Sequence, residues 1–491
     1  MSKNKSVKLN FIMNAILTMS QFAFPLITFP YISRVLQPAG TGMVSFATSV
    51  VAYFCMFSQL GIPTYGIRAC AKVRDDKETL SRTVQELFLI NLIMCVFTYI
   101  AFFIALFTVP RFYQNKLLFL IISLTILFNA IGVEWLYKAL EQYTYITVRS
   151  IIFKFIALVF MFLLVKQPDD TVIYGGLSIL AASASNIFNF FHVHKYIQLK
   201  PIGNYHFRLH LKAILIFFAM SCATTIYTNL DTVMLGFMKT DVDVGYYNAA
   251  VKIKNVLLGV VTSLGTVLLP RASYYVEHDM MEEFYRVAKK AIHFVFLLAT
   301  PLLVYFMLFA KEGIFFLSGS AYNGAIQPMQ IIMPTLLLIG LTNIMGIQML
   351  VPLGKEKIVL YSEIAGAITD LGLNAILIPR VAASGAAFGT LVAEIVVWIV
   401  QFIFLRKDVL NAYKNIRYKL LVLALAGGTF ISLLVRKLEW NFFPTLAFSA
   451  ILFFGVYGSI LLLGKESLMC DIVKQVLQMI KRIIQKKKGI L

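Results

Sequence analysis

Charged side chains are scarce in this 491-residue sequence, at 14%, where a soluble globular domain carries about 25%. Hydrophobic residues make up 59% and the mean hydropathy is +0.80. This excludes a soluble enzyme with a single apolar segment and describes an integral membrane protein. Cysteine is also sparse. The five (Cys55, Cys70, Cys95, Cys222 and Cys470) are odd in number and form no CxxC or metal-ligand spacing. Neither a disulfide framework nor a zinc site is expected. There is no GxxxxGK[ST], no HExxH and no GxSxG. The chain is therefore expected to hydrolyse no ATP and to be no enzyme. Acidic residues are few beside basic ones, 24 against 44, for a net charge of +20.

Apolar runs occupy most of the chain. A bilayer core requires about 20 apolar residues per helix. That ruler gives about fourteen spans, at 9–33, 43–66, 85–109, 117–137, 145–165, 172–194, 211–236, 246–270, 291–310, 327–351, 358–379, 384–405, 418–435 and 443–464. With the N-terminus in the cytoplasm and strict alternation, 32 Lys and Arg fall in cytoplasmic segments and 9 in outer ones, with Lys154, Lys252 and Lys254 inside spans. Such a split follows the positive-inside rule and places both termini in the cytoplasm. It also removes the case for nucleic acid, because the positive charge is spread over many short loops. The tail 465–491 places Leu468, Ile472, Val476, Ile480 and Ile483 beside basic residues at helical spacing. It reads as an amphipathic helix on the anionic inner leaflet, or simply a positive-inside anchor.

An internal repeat is visible. Gly42, Gly61 and Arg68 recur as Gly245, Gly265 and Arg271, at offsets of 203, 204 and 203. Six spans separate the copies, and an even number gives both the same orientation. The expected fold is an all-α polytopic membrane protein with two pseudo-symmetric helical bundles and a cavity between them. The lobes are 1–210 and 211–410, followed by two additional helices in 411–464 and the basic tail.

Ionisable groups inside spans cost several kcal/mol or more in lipid, so they face a cavity or a partner. Lys154 lies about nine residues, or ~14 Å, into its span, and is either a cavity cation or an ion-pair partner. Arg149, nearer the cytoplasmic end, is a cavity candidate that is also long enough to snorkel. Lys252 and Lys254 share a span on opposite faces, and a structural Asp231–Lys252 pair is the expected reading. Arg34 joins the cationic candidates at the outer end of the first span. Glu363, Asp370 and Asn374 are spaced by seven and four, on one helical face. With Glu394 and Asp231, these acids are candidates for ion coupling or for pairing with the buried cations. Asn14, Gln21 and Thr28 form a polar stripe, interrupted outward by Pro25 and Pro30, and read as gating elements or helix–helix hydrogen bonds. Glu134 and Lys138 form an i,i+4 pair beside Trp135 and Tyr137, read as an interfacial aromatic belt. The histidines read as solvated or interfacial.

The segment Phe29-Pro-Tyr-Ile-Ser-Arg-Val-Leu-Gln-Pro-Ala-Gly-Thr-Gly-Met-Val-Ser-Phe-Ala47 resembles the N-terminal signature of the Wzx polysaccharide flippases. These belong to the multidrug/oligosaccharidyl-lipid/polysaccharide exporter superfamily. Val133-Glu-Trp-Leu-Tyr137, Asn229-Leu-Asp231, Val244-Gly-Tyr-Tyr-Asn-Ala-Ala-Val-Lys252, Pro270-Arg271 and Gly385-Ala-Ala…Glu394 are similar to family positions too. The resemblance implies transfer of undecaprenyl-diphosphate-linked oligosaccharides from the inner to the outer leaflet of the bacterial cytoplasmic membrane. The products would be O-antigen, capsule, teichoic acid or related glycans. It implies alternating access, no cofactor beyond H+ or Na+ as coupling ion, and a polysaccharide polymerase and chain-length machinery as partners. Lys154, Arg149 and Lys252 would hold the diphosphate. A drug/cation antiporter and a peptidoglycan-precursor flippase share the fold and are the alternatives. A polymerase would need a large outer loop, and the longest expected one is only 311–326. A scaffold would pair its buried charges structurally.

Overall fold

The computed structural model describes residues 7–414, 416–471, 473, 474 and 478. Ile472, Val476, Ile480 and Ile483 of the expected tail helix lie outside them. All regular structure among the described residues is helical. Nine helices there are long and apolar enough to cross a membrane, or ten if one bent pair counts as a span. Every one of the fourteen expected segments lies on helical chain, but several run together or are broken.

Chain packing defines two compact units. The first comprises 1–248 with 378–383, and the second 249–377 with 384–491. The boundary after 210 that the repeat predicted is not where packing divides the chain. The seventh expected span stays with the first unit because contacts hold it there along its length, as described below.

The first unit begins with α1 (Val7–Gln59), which contains two expected spans. No loop separates them at 34–42. The helix breaks at one residue, Gln37, with φ 59° and ψ 177°. Pro38 explains the position, since a proline disfavours helical geometry in the residue before it. The backbone stays helical through Pro25 and Pro30. Then come α2 (Ile62–Lys72), α3 (Lys77–Thr108), α4 (Pro110–Gln114) and α5 (Lys116–Ile131). Asp76 caps α3 by accepting from the Glu78 and Thr79 amides, and these bonds with the Thr79 hydroxyl hold its carboxyl below the usual range.

The fourth span ends early, where Val133 turns left-handed at φ 35° and α6 (Glu134–Ala139) starts. Trp135 and Tyr137 are buried there, Tyr137 completely, and Tyr137 donates to the Asn189 carbonyl at 2.7 Å. They form core rather than an interfacial belt, because a Gly66 with no side chain lets the Trp135 ring close on α2. The unit continues with α7 (Tyr143–Leu164), α8 (Thr171–Ile179), a π-helical turn at Leu180–Ala184, α9 (Asn186–His192) and α10 (Phe207–Met238).

The chain enters the second unit within α11 (Asp241–Glu277) and continues through α12 (Met281–Leu308), α13 (Ala310–Ser318), α14 (Ile326–Ile332) and α15 (Thr335–Thr342). The stretch expected as the longest outer loop is helical instead, with Ile314 and Tyr322 fully buried. A π-helical stretch, Asn343–Leu350, precedes α16 (Glu356–Lys414), which again holds two expected spans. Its break is at Val381 and Ala382, the latter at φ 46°. The unit ends with α17 (Tyr418–Leu434) and α18 (Phe442–Leu463). Arg436 grips Glu312 through Nε at 3.0 Å and Nη2 at 3.1 Å, tying the α17 end to α13.

Candidate functional site

In the first unit a cavity of about 320 Å³ opens between α1, α5 and α10. Its polar lining includes Thr48, Gln59, Thr125, Asn129, Ser221, Thr225 and Asn229. On α10, Ser221, Thr225 and Asn229 recur every four residues, which stacks them along one face of the helix. Asn129 links this wall to the deepest cation of the unit. Its Oδ1 accepts from Asn186 Nδ2 at 3.2 Å, and Asn186 Oδ1 accepts from Arg149 Nη2 at 3.4 Å.

Arg149 is only 7% exposed. It does not snorkel, because α7 presents it to α6 and α9, where Glu134 lies 3.5 Å from Nη2. Glu134 also holds Lys138 at 2.8 Å, the i,i+4 pair read from the sequence. The guanidinium lies 5.7 Å from the centre of the Tyr145 ring, an attractive placement for a cation. Nε and Nη1 of Arg149 are buried and make no hydrogen bond among the described residues. Such donors cost free energy when buried unsatisfied, and they are what a phosphate oxygen accepts from.

Lys154 lies elsewhere on α7. It is half-buried, and Nζ donates to Ser20 Oγ on α1 at 2.8 Å. Five residues turn a helix by about 140°, so the two cations do not share a face. Asn14 and Gln21 are exposed and Thr28 is buried. Arg34 is exposed at the end of the first half of α1, donating to the Pro30 carbonyl at 2.5 Å. Asp231 is buried and accepts from the Tyr247 hydroxyl.

At the end where α1 breaks, the two repeat copies meet. A Cβ on Gly42 would lie 1.8 Å from the Asp241 carbonyl oxygen, and one on Gly245 would lie 2.1 Å from that of Pro38. Only glycine permits this approach. Arg111 reinforces it, bonding Asp241 at 2.6 Å and lying 4.7 Å from the Phe46 ring centre. The opposite end of α10 is held by a buried chain. Tyr65 Oη lies 2.8 Å from His210 Nδ1, and His210 Nε2 lies 2.7 Å from Glu86 Oε2. His210 is thus buried rather than solvated.

In the second unit, Asp370, Asn374 and Glu394 are all buried, while Glu363, on the same face as Asp370 but nearer the start of α16, is exposed. Asp370 and Asn374 converge on Gly389 across the α16 break. A Cβ there would lie 2.4 Å from Asn374 Oδ1 and 2.9 Å from Asp370 Oδ1. Thr390 is buried beside it. Lys252 is half-buried in α11 and belongs to this unit. Among the described residues no three His, Cys, Asp or Glu side chains are grouped to hold a metal ion.

The sequence matches the family described as Polysaccharide biosynthesis protein over residues 7–276. That is more than half of the chain. The chain belongs to this polysaccharide biosynthesis family. It also matches the MatE family over residues 217–376. A relative in Escherichia coli strain K12, named as an O-antigen transporter, is 25% identical over 83% of this chain and 99% of its own. Another of that name, from Shigella dysenteriae, is 25% identical over 72% of this chain and 88% of its own. Among solved structures, the lipid II flippase MurJ in an inward closed conformation superposes with a TM-score of 0.64, at 18% identity, over 89% of this chain and 97% of that one. An inward-facing multidrug resistance MATE transporter gives 0.62, at 15% identity, over 83% and 99%. The fold is the one these solved transporters share.

Sequence reasoning missed the Glu86–His210–Tyr65 chain, the Arg149–Asn186–Asn129 relay and the Arg111–Asp241 contact. The first and last join residues more than 100 positions apart, and no local spacing marks them. The relay had one visible signal: asparagines at 129 and 186, inside apolar spans, need partners.

Proposed function

We propose that this chain is a flippase that carries a lipid-linked oligosaccharide repeat unit, on undecaprenyl diphosphate, from the inner to the outer leaflet of the bacterial cytoplasmic membrane. The observation that carries this reading is Arg149: a guanidinium withdrawn from water, with two unsatisfied nitrogens, joined by amide side chains to a polar cavity wall. Arginine presents a planar fork matched to phosphate oxygens, and in a low-dielectric interior that pairing strengthens. Lys154 adds a second positive charge that Ser20 holds toward α1. The polar lining of Asn, Gln, Ser and Thr offers donors and acceptors for sugar hydroxyls. Two curated relatives are named for O-antigen transport, which supports a glycan over a drug as cargo.

In this reading both termini are cytoplasmic, as the distribution of Lys and Arg favours. Transport proceeds by alternating access and is coupled to H+ or Na+ at Asp370, where the Asn374 amide and the Thr390 hydroxyl add oxygen ligands. A polysaccharide polymerase with its chain-length machinery then consumes the flipped unit.

The test uses cells depleted of the protein and converted to protoplasts. Lipid-linked repeat units are expected to accumulate in a pool that an impermeant glycan-modifying reagent does not reach. Accumulation in a reagent-accessible pool would overturn the reading in favour of a polymerisation defect. No accumulation, in a strain without a second flippase, would overturn it in favour of a drug antiporter.

A further inference from the structure

The second unit has a cavity that the transport reading does not use. It measures about 540 Å³, within the range of about 300–1,000 Å³ typical of small-molecule sites. Its long wall is one face of α12. Glu283, Arg286, Lys290 and Phe294 follow one another at steps of three and four, the spacing that stacks side chains along one side of a helix. The face runs from charged to apolar over ~16 Å, at 1.5 Å per residue. The opposite wall, on α11, repeats the gradient: Arg271 and Tyr275 at the charged end, Leu268 at the apolar end. Arg271 Nε donates to Tyr275 Oη at 2.8 Å, which fixes the guanidinium at the rim. The start of the C-terminal tail closes the slot with Leu468 and Asp471. Glu466 anchors that closure, with its Oε1 3.2 Å from His293 Nε2 on α12, and is itself 2% exposed.

A cavity with a cationic rim and an apolar floor selects an amphiphile. Three cations (Arg271, Arg286 and Lys290) stand against two carboxylates (Glu283 and Asp471), a net of one positive charge. That balance suits a singly charged phosphodiester better than a doubly charged free phosphate. The partner of Arg286, Glu282, is exposed on the surface at 3.0 Å, and such a pair holds its arginine only weakly. We propose that this slot binds one anionic phospholipid, with its phosphodiester between Arg271, Arg286 and Lys290 and an acyl chain along Leu268, Val287 and Phe294. On the orientation proposed above the lipid belongs to the inner leaflet, and it holds the tail against α12.

The test is binding to the purified full chain in detergent, read by native mass spectrometry. The probes are dioctanoyl phosphatidylglycerol, dioctanoyl phosphatidylcholine and inorganic phosphate. Phosphatidylglycerol is expected to bind about tenfold more tightly than phosphatidylcholine, and the Arg286→Gln/Lys290→Gln variant to lose about that factor. Leu268→Trp and Leu468→Trp, which fill the apolar end, are expected to weaken the lipid by a similar factor with both cations in place. They keep the test decisive if the charge variant misfolds. Equal binding of both lipids, or no loss in any of these variants, would overturn the proposal. Displacement of phosphatidylglycerol by inorganic phosphate at similar concentration would overturn the lipid and leave a soluble phosphate as the ligand. The measurement requires neither flipping nor a membrane orientation, so its failure and that of the flippase reading are separable.

Discussion

The two units place their buried polar groups differently. In the first, ion pairs and charged relays cross between helices and close on defined partners: Arg149 with Glu134 and Asn186, His210 with Glu86, Arg111 with Asp241. In the second, Arg436–Glu312 and His293–Glu466 also bridge separate elements, but two further buried acids, Asp370 and Glu394, share one helix, α16, folded back so that Asp370 and Asn374 converge on a glycine of its own second half. The first arrangement leaves a cationic guanidinium with donors to spare. The second concentrates oxygen atoms. In the function proposed above, the anionic part of the cargo goes to the first unit and the coupling cation to the second.

The strongest way to break that division is Arg149→Gln. Removing one member of a buried pair normally destabilises by leaving a bare charge, but here Glu134 keeps Lys138 at 2.8 Å. The variant is therefore expected to fold and to lose transport by about 100-fold, ~2.7 kcal/mol of lost stabilisation at tenfold per 1.36 kcal/mol. Arg149→Lys is expected to recover only part, because a point charge does not replace the fork. Protoplast accumulation assays with purified variants checked for melting would measure both. Asp370→Asn sharpens the other half of the comparison. Transport is expected to fall about tenfold, ~1.4 kcal/mol, and what remains should no longer respond to the Na+ or H+ gradient. Retained gradient dependence in Asp370→Asn would sink the assignment.

The helical fold and the shared face of Asp370 and Asn374 were legible because each rests on local periodicity. So was Glu134–Lys138, a single helical turn. The breaks were half legible. Pro25, Pro30 and Pro38 all lie in α1, yet the helix yields only before Pro38. A spanning helix absorbs an interior proline when neighbours satisfy the carbonyls it frees. Packing divides the chain elsewhere than the repeat does, for a related reason. Repeat arithmetic counts spans, whereas packing depends on which partners a span meets, and α10 meets Phe46, Tyr65 and Glu86. His210 looked interfacial because its carboxylate partner is 124 residues away.

Gly236 gives a smaller, purely structural test of why α10 stays with the first unit. A Cβ there would lie 1.9 Å from the Phe46 ring, which itself packs edge-on against Phe237 at 5.3 Å and Phe119 at 6.1 Å. Such a cluster has no room to yield, and overpacking of this kind costs about 1–3 kcal/mol. Gly236→Ala is expected to lower the melting temperature in detergent, whereas Gly455→Ala in the second unit, with nothing within 4 Å of its Cβ, should not. Equal melting of the two variants would mean that the Phe46 cluster is not what holds α10.

The smallest effect belongs to Arg74 and Glu141, an ion pair at 2.9 Å whose side chains are 44% and 48% exposed. Its distance is close to that of Glu134–Lys138, and by geometry alone it ranks with the interior pairs. Exposure decides otherwise: water screens the attraction and both chains lose rotamer freedom to keep it, leaving about 0–1 kcal/mol. Glu141 also accepts from Asn10 Nδ2 at 3.3 Å, so its carboxylate retains a partner when the arginine is removed. Arg74→Ala is therefore expected to change the melting temperature little and transport not at all. A large loss of transport in this variant would show that positive charge at the end of α2 matters to the cargo. The division between interior cation and coupling acid would then have to be extended to the surface.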